Sequence, residues 1–510
     1  MEPTIRGLGT TKTERSIAKL ADETFLDLWS YPNTFNDRDI RTGQGKELCD
    51  LLVICGNDLL IFSDKNISWP SGETKLAWSR WYRRAVKHSV EQIKGADRWT
   101  RLHPDRIFID ANCQTRLPVN LPPSEELNVH GIAVVSGATD ACRAYTGDSE
   151  GTLMLTSFLT GAEHENPSAK GLTPFMLGDV NPEGAFVHVF DIESLTTIMR
   201  ELDTISDFVA YLSERALALR GKRVRFAASE VDLLASYLIC GDEDGRPYIP
   251  DVLADATLPE GAGIYPPGQY AAFRRSAEYR ARRDRNKDSY DWDRLIGSFS
   301  KNLLAGTSVT VAGIQPKLRL AEQALRRMAL ERRVVRRSLA YAFRDAYFKA
   351  EQVNQDRFVR LIMPPEGGAD PECLYLFIIL AFRGDWLVER GYGYYRDSRG
   401  AMLRAYCQVA LLQNSAAKRI VGIALDASPR MTRRAGSSED IMLMEVPERT
   451  DELIAETRDI QKKAEILLPS RLKPSFLREK TLTELDGDKR YSGNRSERRA
   501  ARARERRRSR

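Results

Sequence analysis

The chain has 510 residues, 42% hydrophobic and 29% charged, the balance of a globular protein too long for one ordinary core, so two or three domains are expected. No run approaches the ~18 apolar residues of a membrane span, the N-terminus lacks the apolar stretch of a signal peptide, and seven scattered cysteines contain no CxxC pair. A disulfide framework, a zinc finger and a membrane partner are therefore excluded as expectations, and a cytoplasmic location is expected. The net charge of +6 is uneven: Lys489 to Arg510 carries +9, which leaves the other 488 residues at −3.

Taken in order, residues 13–29 repeat Ile17, Leu20, Ala21, Phe25 and Leu28 at helical spacing, with Thr11 or Thr13 as N-cap. Glu14 and Glu23 lie on this helix. Tyr31-Pro32-Asn33 reads as its end, and a polar loop leads to Glu47-x-x-Asp50, a spacing that can bring two acids to one cation. The stretch GKELCDLLVICGNDLLIFSDK (45–65) follows. Leu51 to Cys55 and Leu59 to Phe62 read as two apolar strands around a Gly56-Asn57-Asp58 turn. Asp50 stands at the entrance of the first strand and Lys65 at the exit of the second, so the hairpin should bring them together. An idle carboxylate opening so apolar a strand would be costly, which singles out Asp50.

This hairpin resembles the PD-(D/E)XK (restriction-endonuclease-like) nuclease superfamily. The resemblance covers residues of about 10–100 and implies an acid on the first strand that binds Mg²⁺ or Mn²⁺, here Asp50. It also implies an acid-x-Lys pair on the second, here ending in Lys65. Strand alternation puts Ser63 and Lys65 on one face and Asp64 on the other, so the second acid falls on Ser63, which carries no charge. Three alternatives follow: a bulge turns Asp64 inward, a carboxylate comes from elsewhere (Glu47, or Glu14 or Glu23 on the preceding helix), or the site is degenerate. The resemblance further implies a glutamine on the next helix, which Gln92 matches.

That helix, 77–98, carries Ala77, Trp81, Ala85, His88 and Gln92 on one side and a basic stripe of Arg80, Arg83, Arg84 and Lys87, suited to a phosphate backbone or simply to solvent. The apolar runs 105–112 and 130–138 read as buried strands. With the hairpin they make a mixed sheet flanked by two helices, expected to close near residue 160. Beyond it, 184–191 reads as a strand and 194–219 as one long amphipathic helix capped by Ser194. Helical patterns recur at 228–239, 291–304 and 318–350. The last of these contains the doublets Arg326-Arg327, Arg332-Arg333 and Arg336-Arg337, facing either nucleic acid or solvent.

In the C-terminal part, strands at 373–382 and 419–427 enclose a helix at 395–414, a parallel crossover unit. A further strand covers 437–446, and a helix 450–466. Asp426 and Asp440 read as surface acids. The arginine-rich end, including Arg498 and Arg499, lacks apolar anchors and is expected to be disordered alone and attracted to nucleic acid. The chain is thus expected to be α/β multidomain: a restriction-endonuclease-like domain over 1–160, a mostly helical region over 161–350, an α/β domain over 351–466 and a basic tail over 467–510. The expected function is a metal-dependent nuclease acting on DNA or RNA, in repair or in defence against foreign nucleic acid. Its site would comprise Asp50, Asp64, Lys65 and Gln92, with Asp50, Asp64, Glu47 and Glu14 as metal ligands. The alternative is a degenerate nuclease-like scaffold with protein partners in a larger complex.

Overall fold

A computed structural model describes residues 4–148, 151–166, 173–241, 247–250, 263–306, 318–352, 357–380, 384–426, 440–446 and 448–468. Arg498, Arg499 and the rest of the arginine-rich end, expected to attract nucleic acid, lie outside these residues. Helix α1 (Lys12–Phe25) starts where Thr11 Oγ1 accepts the Glu14 N–H, while the Glu14 carboxylate accepts the Thr10 N–H at 2.7 Å. That reciprocal cap satisfies two donors at the helix start. Ile17, Leu20, Ala21 and Phe25 are buried as the spacing requires.

Next come strands β1 (Ser30–Asn36), β2 (Lys46–Cys55) and β3 (Asp58–Asn66), helices α2 (Thr74–Tyr82) and α3 (His88–Leu102), and strands β4 (Ile107–Phe108) and β5 (Asn128–Ser136). Strand β1 corrects the reading of Pro32 as a stop. Pro32 pairs with Leu51 of β2, whereas β4 meets β1 only at Phe35 and Asn36. A proline is tolerated where the other flank of its strand needs no ladder bond from it.

Helix α4 (Thr139–Thr146) leads to β6 (Met154–Thr160), β7 (Met176–Asp179) and β8 (Val187–Asp191), then α5 (Ile192–Glu201), α6 (Ile205–Arg220), β9 (Val224–Ala227), α7 (Glu230–Ile239) and β10 (Gly263–Tyr265). The single helix expected over 194–219 is two. Asp191, not Ser194, caps the first by accepting the Ser194 N–H, and Thr204 caps the second by accepting the Asp207 N–H. Helices α8 (Gln269–Arg275), α9 (Ala277–Asn286), α10 (Tyr290–Leu304), α11 (Leu318–Ala329) and α12 (Arg333–Gln352) complete the middle of the chain. The C-terminal part holds β11 (Arg357–Ile362), β12 (Cys373–Leu380), α13 (Gly384–Gln413), β13 (Arg419–Asp426), β14 (Asp440–Glu445) and α14 (Asp451–Ala464).

Three mixed sheets result, ordered β4-β1-β2-β3-β5-β8, β10-β9-β6-β7 and β11-β12-β13-β14. In the first, β1, β2 and β3 are antiparallel neighbours, and β5 and β8 continue it in parallel with β3. Its edge strand therefore comes from beyond residue 160, while β6, which precedes that border, belongs to the second sheet. The expected parallel crossover is present, since β12 and β13 pair in parallel around α13. One apolar core runs without a break from Ile17 to Leu425, across both expected borders at 160 and 350. Strand β12 divides its side chains by pleat: Tyr375, Phe377 and Ile379 join that core, and Leu374, Leu376 and Ile378 join a second cluster under α13.

Two groups of charged residues sit deeper than the sequence suggested. Arg336 is only 1% exposed, and Arg333 and Arg336 grip Asp203 and Asp293 between α12 and α10. Arg333 and Arg336 are thus internal ion-pair partners and face neither nucleic acid nor solvent, while Arg326 and Arg327, half-buried, pair with Glu322 and Asp370. Asp426 and Asp440 are likewise not surface acids: Arg399 Nη1 reaches Asp426 at 3.0 Å and Arg399 Nε reaches Asp440 at 2.6 Å. No helix among the described residues is long and apolar enough to cross a membrane.

Candidate functional site

The β2–β3 hairpin turns on Gly56, whose φ of +67° lies in the left-handed region glycine enters at little cost. Pairing runs from Cys55↔Asp58 to Leu51↔Phe62, and continuing that register puts Asp50 opposite Ser63. Helix α1 covers one face of the sheet, where the Phe25 ring meets Phe62 at 6.5 Å. Helix α3 covers the other, where Ser63 Oγ donates to Gln92 Oε1 at 2.9 Å and to Ser89 Oγ at 3.2 Å.

Lys65 shares the α3 face, as alternation requires. Its ammonium donates to Gln92 Oε1 at 2.8 Å and to the Asp64 carbonyl at 3.1 Å, and lies 3.8 Å from Asp50 Oδ2. The same Asp50 oxygen accepts the Asp64 N–H at 2.5 Å. Asp50, Lys65 and Gln92 thus converge. Asp64 stays on the opposite face, and no bulge is recorded in the β2–β3 pairing from Leu51 to Phe62.

Glu14 and Glu47 are joined by a residue the sequence reading passed over. Asn33 Nδ2 donates at 3.0 Å to Glu14 and at 3.0 Å to Glu47. Asn33 sits at φ +47°, a left-handed conformation that asparagine tolerates better than most residues. Its sequence signal was only that tolerance, beside a proline.

The electrostatics of the four acids are unequal. Burial pushes Asp50 up to about 6, against the Lys65 ammonium and the Asp64 N–H and with the added push of Glu47 and Glu14. Burial, then the charges of Asp50 and Glu14, push Asp64 up to about 7. Asp64 Oδ1 is buried without a hydrogen-bond partner among the described residues. Burial also pushes Glu14 upward, but hydrogen bonds from Asn33, Thr10 and Thr11 bring it below its ordinary value.

Among the described residues no three His, Cys, Asp or Glu side chains are grouped closely enough to make a ready cation site. The donors fit a magnesium-type ion in a more limited way. Such ions take one or two carboxylates and complete their shell with water and phosphate, and an orphaned carboxylate oxygen in an under-compensated acidic site is what a cation would relieve. Asp50 would hold it from the Lys65 face; Asp64 lies on the opposite face but feels the Asp50 charge, and would join only with its carboxylate turned toward Asp50.

The basic stripe on the helix after the hairpin is partly used up. A five-residue π turn (83–87) separates α2 from α3. Arg83 and Lys87 pair with Glu165 at 3.3 and 2.8 Å, while Arg80 and Arg84 are exposed. His88, read as sharing the buried side, is also exposed, and Ser89 takes the inward place instead. Beside the acids, a cavity of about 290 Å³ opens between α3, the end of β1 and the entrance of β2, with Arg38, Lys46, Glu47, Gln92 and Trp99 on its wall. Comparison with protein-family models, with curated proteins and with solved structures gives no match for this chain.

Proposed function

We propose that this chain is a metal-dependent nuclease of the PD-(D/E)XK type, hydrolysing phosphodiester bonds of DNA or RNA. The observation that carries the reading is the meeting of Asp50, Lys65 and Gln92 at the mouth of one hairpin, on a mixed sheet with a helix on each face. Mg²⁺ or Mn²⁺ held by Asp50 and Asp64 would activate water and offset charge on the scissile phosphate.

The chain's own groups have separable tasks. The Lys65 ammonium places a positive charge where negative charge gathers on the phosphate oxygens, in a partly desolvated position where it counts for more than in water. Gln92 holds that ammonium in place, and the Asp64 N–H holds the Asp50 carboxylate. With its carboxyl at about 6, Asp50 is mostly ionised at pH 7–8. Any basic tail beyond the described residues would add sequence-blind attraction to the substrate.

One observation favours a second reading, a degenerate scaffold that binds without cutting. Ser63, in the place of the second acid, is already engaged by Gln92 and Ser89. Incubation of the purified protein with DNA and with RNA, in Mn²⁺ or EDTA, separates the two. Cleavage in Mn²⁺ that falls at least ~100-fold in both Asp50→Ala and Lys65→Ala supports the nuclease. Binding without cleavage in any metal leaves the scaffold.

A further inference from the structure

The cavity beside Gln92 has no task in hydrolysis as described above, and its wall is not that of an ordinary packing defect. Of about 290 Å³, it lies at the small end of ligand pockets and has room for one nucleoside-sized group. Two cations, Arg38 and Lys46, are exposed on its rim, while Glu47 and Glu91 supply hydrogen-bond acceptors and Trp99 an aromatic surface. The Arg38 and Arg106 guanidinium groups lie 5.8 and 5.2 Å from the indole centroid and the His103 ring 4.4 Å from it; both guanidiniums are exposed and at cation–π distance, so an incoming flat ring has to displace exposed cations and not a buried contact.

Gln92 joins this cavity to the acids. Lys65 can only donate, so the 2.8 Å contact identifies the glutamine oxygen and fixes the orientation of the amide. The oxygen serves Lys65 and Ser63, and the NH₂ end has no acceptor among the described residues. Gln92 therefore touches the Lys65 ammonium, lines the cavity, and keeps a donor pair unused.

We propose that the cavity receives the base of an unpaired nucleotide next to the scissile phosphate, stacked on Trp99 and met at its edge by the Gln92 NH₂. Resting on the nuclease reading, this narrows the substrate to a single strand or a frayed end. A base inside an intact duplex is stacked and paired and cannot enter a one-nucleoside pocket without being extruded at a cost, whereas a single strand offers its bases to aromatic platforms freely. Arg38 and Lys46 then take the neighbouring backbone phosphate, which positions the strand without reading its sequence.

The test uses the full-length protein in EDTA, at about 0.3 M salt to suppress sequence-blind backbone attraction. Fluorescence anisotropy compares a fluorescein-labelled DNA single strand with the same sequence as a blunt duplex. The single strand is expected to bind about 10-fold tighter, Trp99→Ala to lose about 10-fold for the single strand only, and Trp99→Phe to restore most of it. Equal affinity for both forms, or a Trp99→Ala variant that binds the single strand as wild type does, overturns the assignment. Should Trp99→Ala fail to fold, the exposed pair Arg38→Ala/Lys46→Ala carries the test: weaker single-strand binding supports it and unchanged binding overturns it. Adding Mn²⁺ separates the two readings. Trp99-dependent binding with no cutting keeps the pocket and removes the nuclease. Cutting of both DNA forms alike, undiminished in Trp99→Ala, keeps the nuclease and removes the pocket.

Discussion

Two groups of acids in this protein are treated in opposite ways. Between α10 and α12, each oxygen of Asp293 meets an arginine, Arg333 or Arg336, and Arg333 also reaches Asp203 at 2.8 Å. Arg336 spends its remaining donors on the carbonyls of Ala329 and Glu331. At the hairpin mouth, the charges of Glu14 and Glu47 push on Asp50 and those of Asp50 and Glu14 on Asp64, with the Lys65 ammonium beside them, and among the described residues Asp64 Oδ1 has no hydrogen-bond partner. The first group is balanced and belongs to the fold. The second is under-compensated, and an unbalanced site is where a protein leaves room for something that is not itself.

The largest expected effect breaks the balanced group. Asp293→Ala leaves the buried Arg336 without a carboxylate partner, Arg333 keeping Asp203, and a loss of about 3–5 kcal/mol is expected by chemical denaturation, with the hairpin site unchanged in its metal response. The next uses the ion. If Asp50 and Asp64 hold Mn²⁺, they must first lose the protons they keep up to about 6 and about 7. The stabilisation by Mn²⁺ should then be absent near pH 5 and grow to about 2–3 kcal/mol at pH 8 with the ion at 100 times its Kd. A melting temperature that rises equally with Mn²⁺ at both pH values would refute these ligands.

Without metal the sign reverses. Both carboxyls hold their protons more tightly folded than unfolded, so their contribution is fully present below pH ~4 and is lost as pH rises through 6 to 7. Asp64→Asn, which cannot ionise, should therefore raise the metal-free melting temperature at pH 8 while changing little at pH 4. The gain is on the order of 1 kcal/mol or less, since solvent reaches part of this group. The Asp293→Asn counterpart should lose stability at pH 8, because there the charge is needed. Equal signs for the two asparagine variants would erase the contrast between the groups.

Much of the hairpin was legible. Leu51 to Phe62 is apolar enough to be a strand pair and nothing else, Gly56 marks its turn, and alternation alone puts Lys65 on the α3 face. Strand β1 was not legible, because Pro32 normally argues against a strand and only its poorly paired flank excuses it. The break at Thr204 was hidden in an apolar pattern that both halves continue. Asn33 and Trp99 carried no signal, since bridging two glutamates and lining a cavity depend on partners far away in the chain. Arg333, Arg336 and Asp426 misled for the same reason: a charge reads as a surface residue until its counter-charge is seen.

By itself the sequence determined the local order of helices and strands, the hairpin, the meeting of Asp50 with Lys65, and the mixed α/β character. All of these follow from periodicity and turn chemistry acting within a few residues. Only the tertiary structure decided which charges are neutralised and which are left exposed to a ligand, and where a cavity stands beside them. Those outcomes are differences between large desolvation and Coulomb terms, and each depends on side chains brought close by packing and not by neighbourhood in the chain.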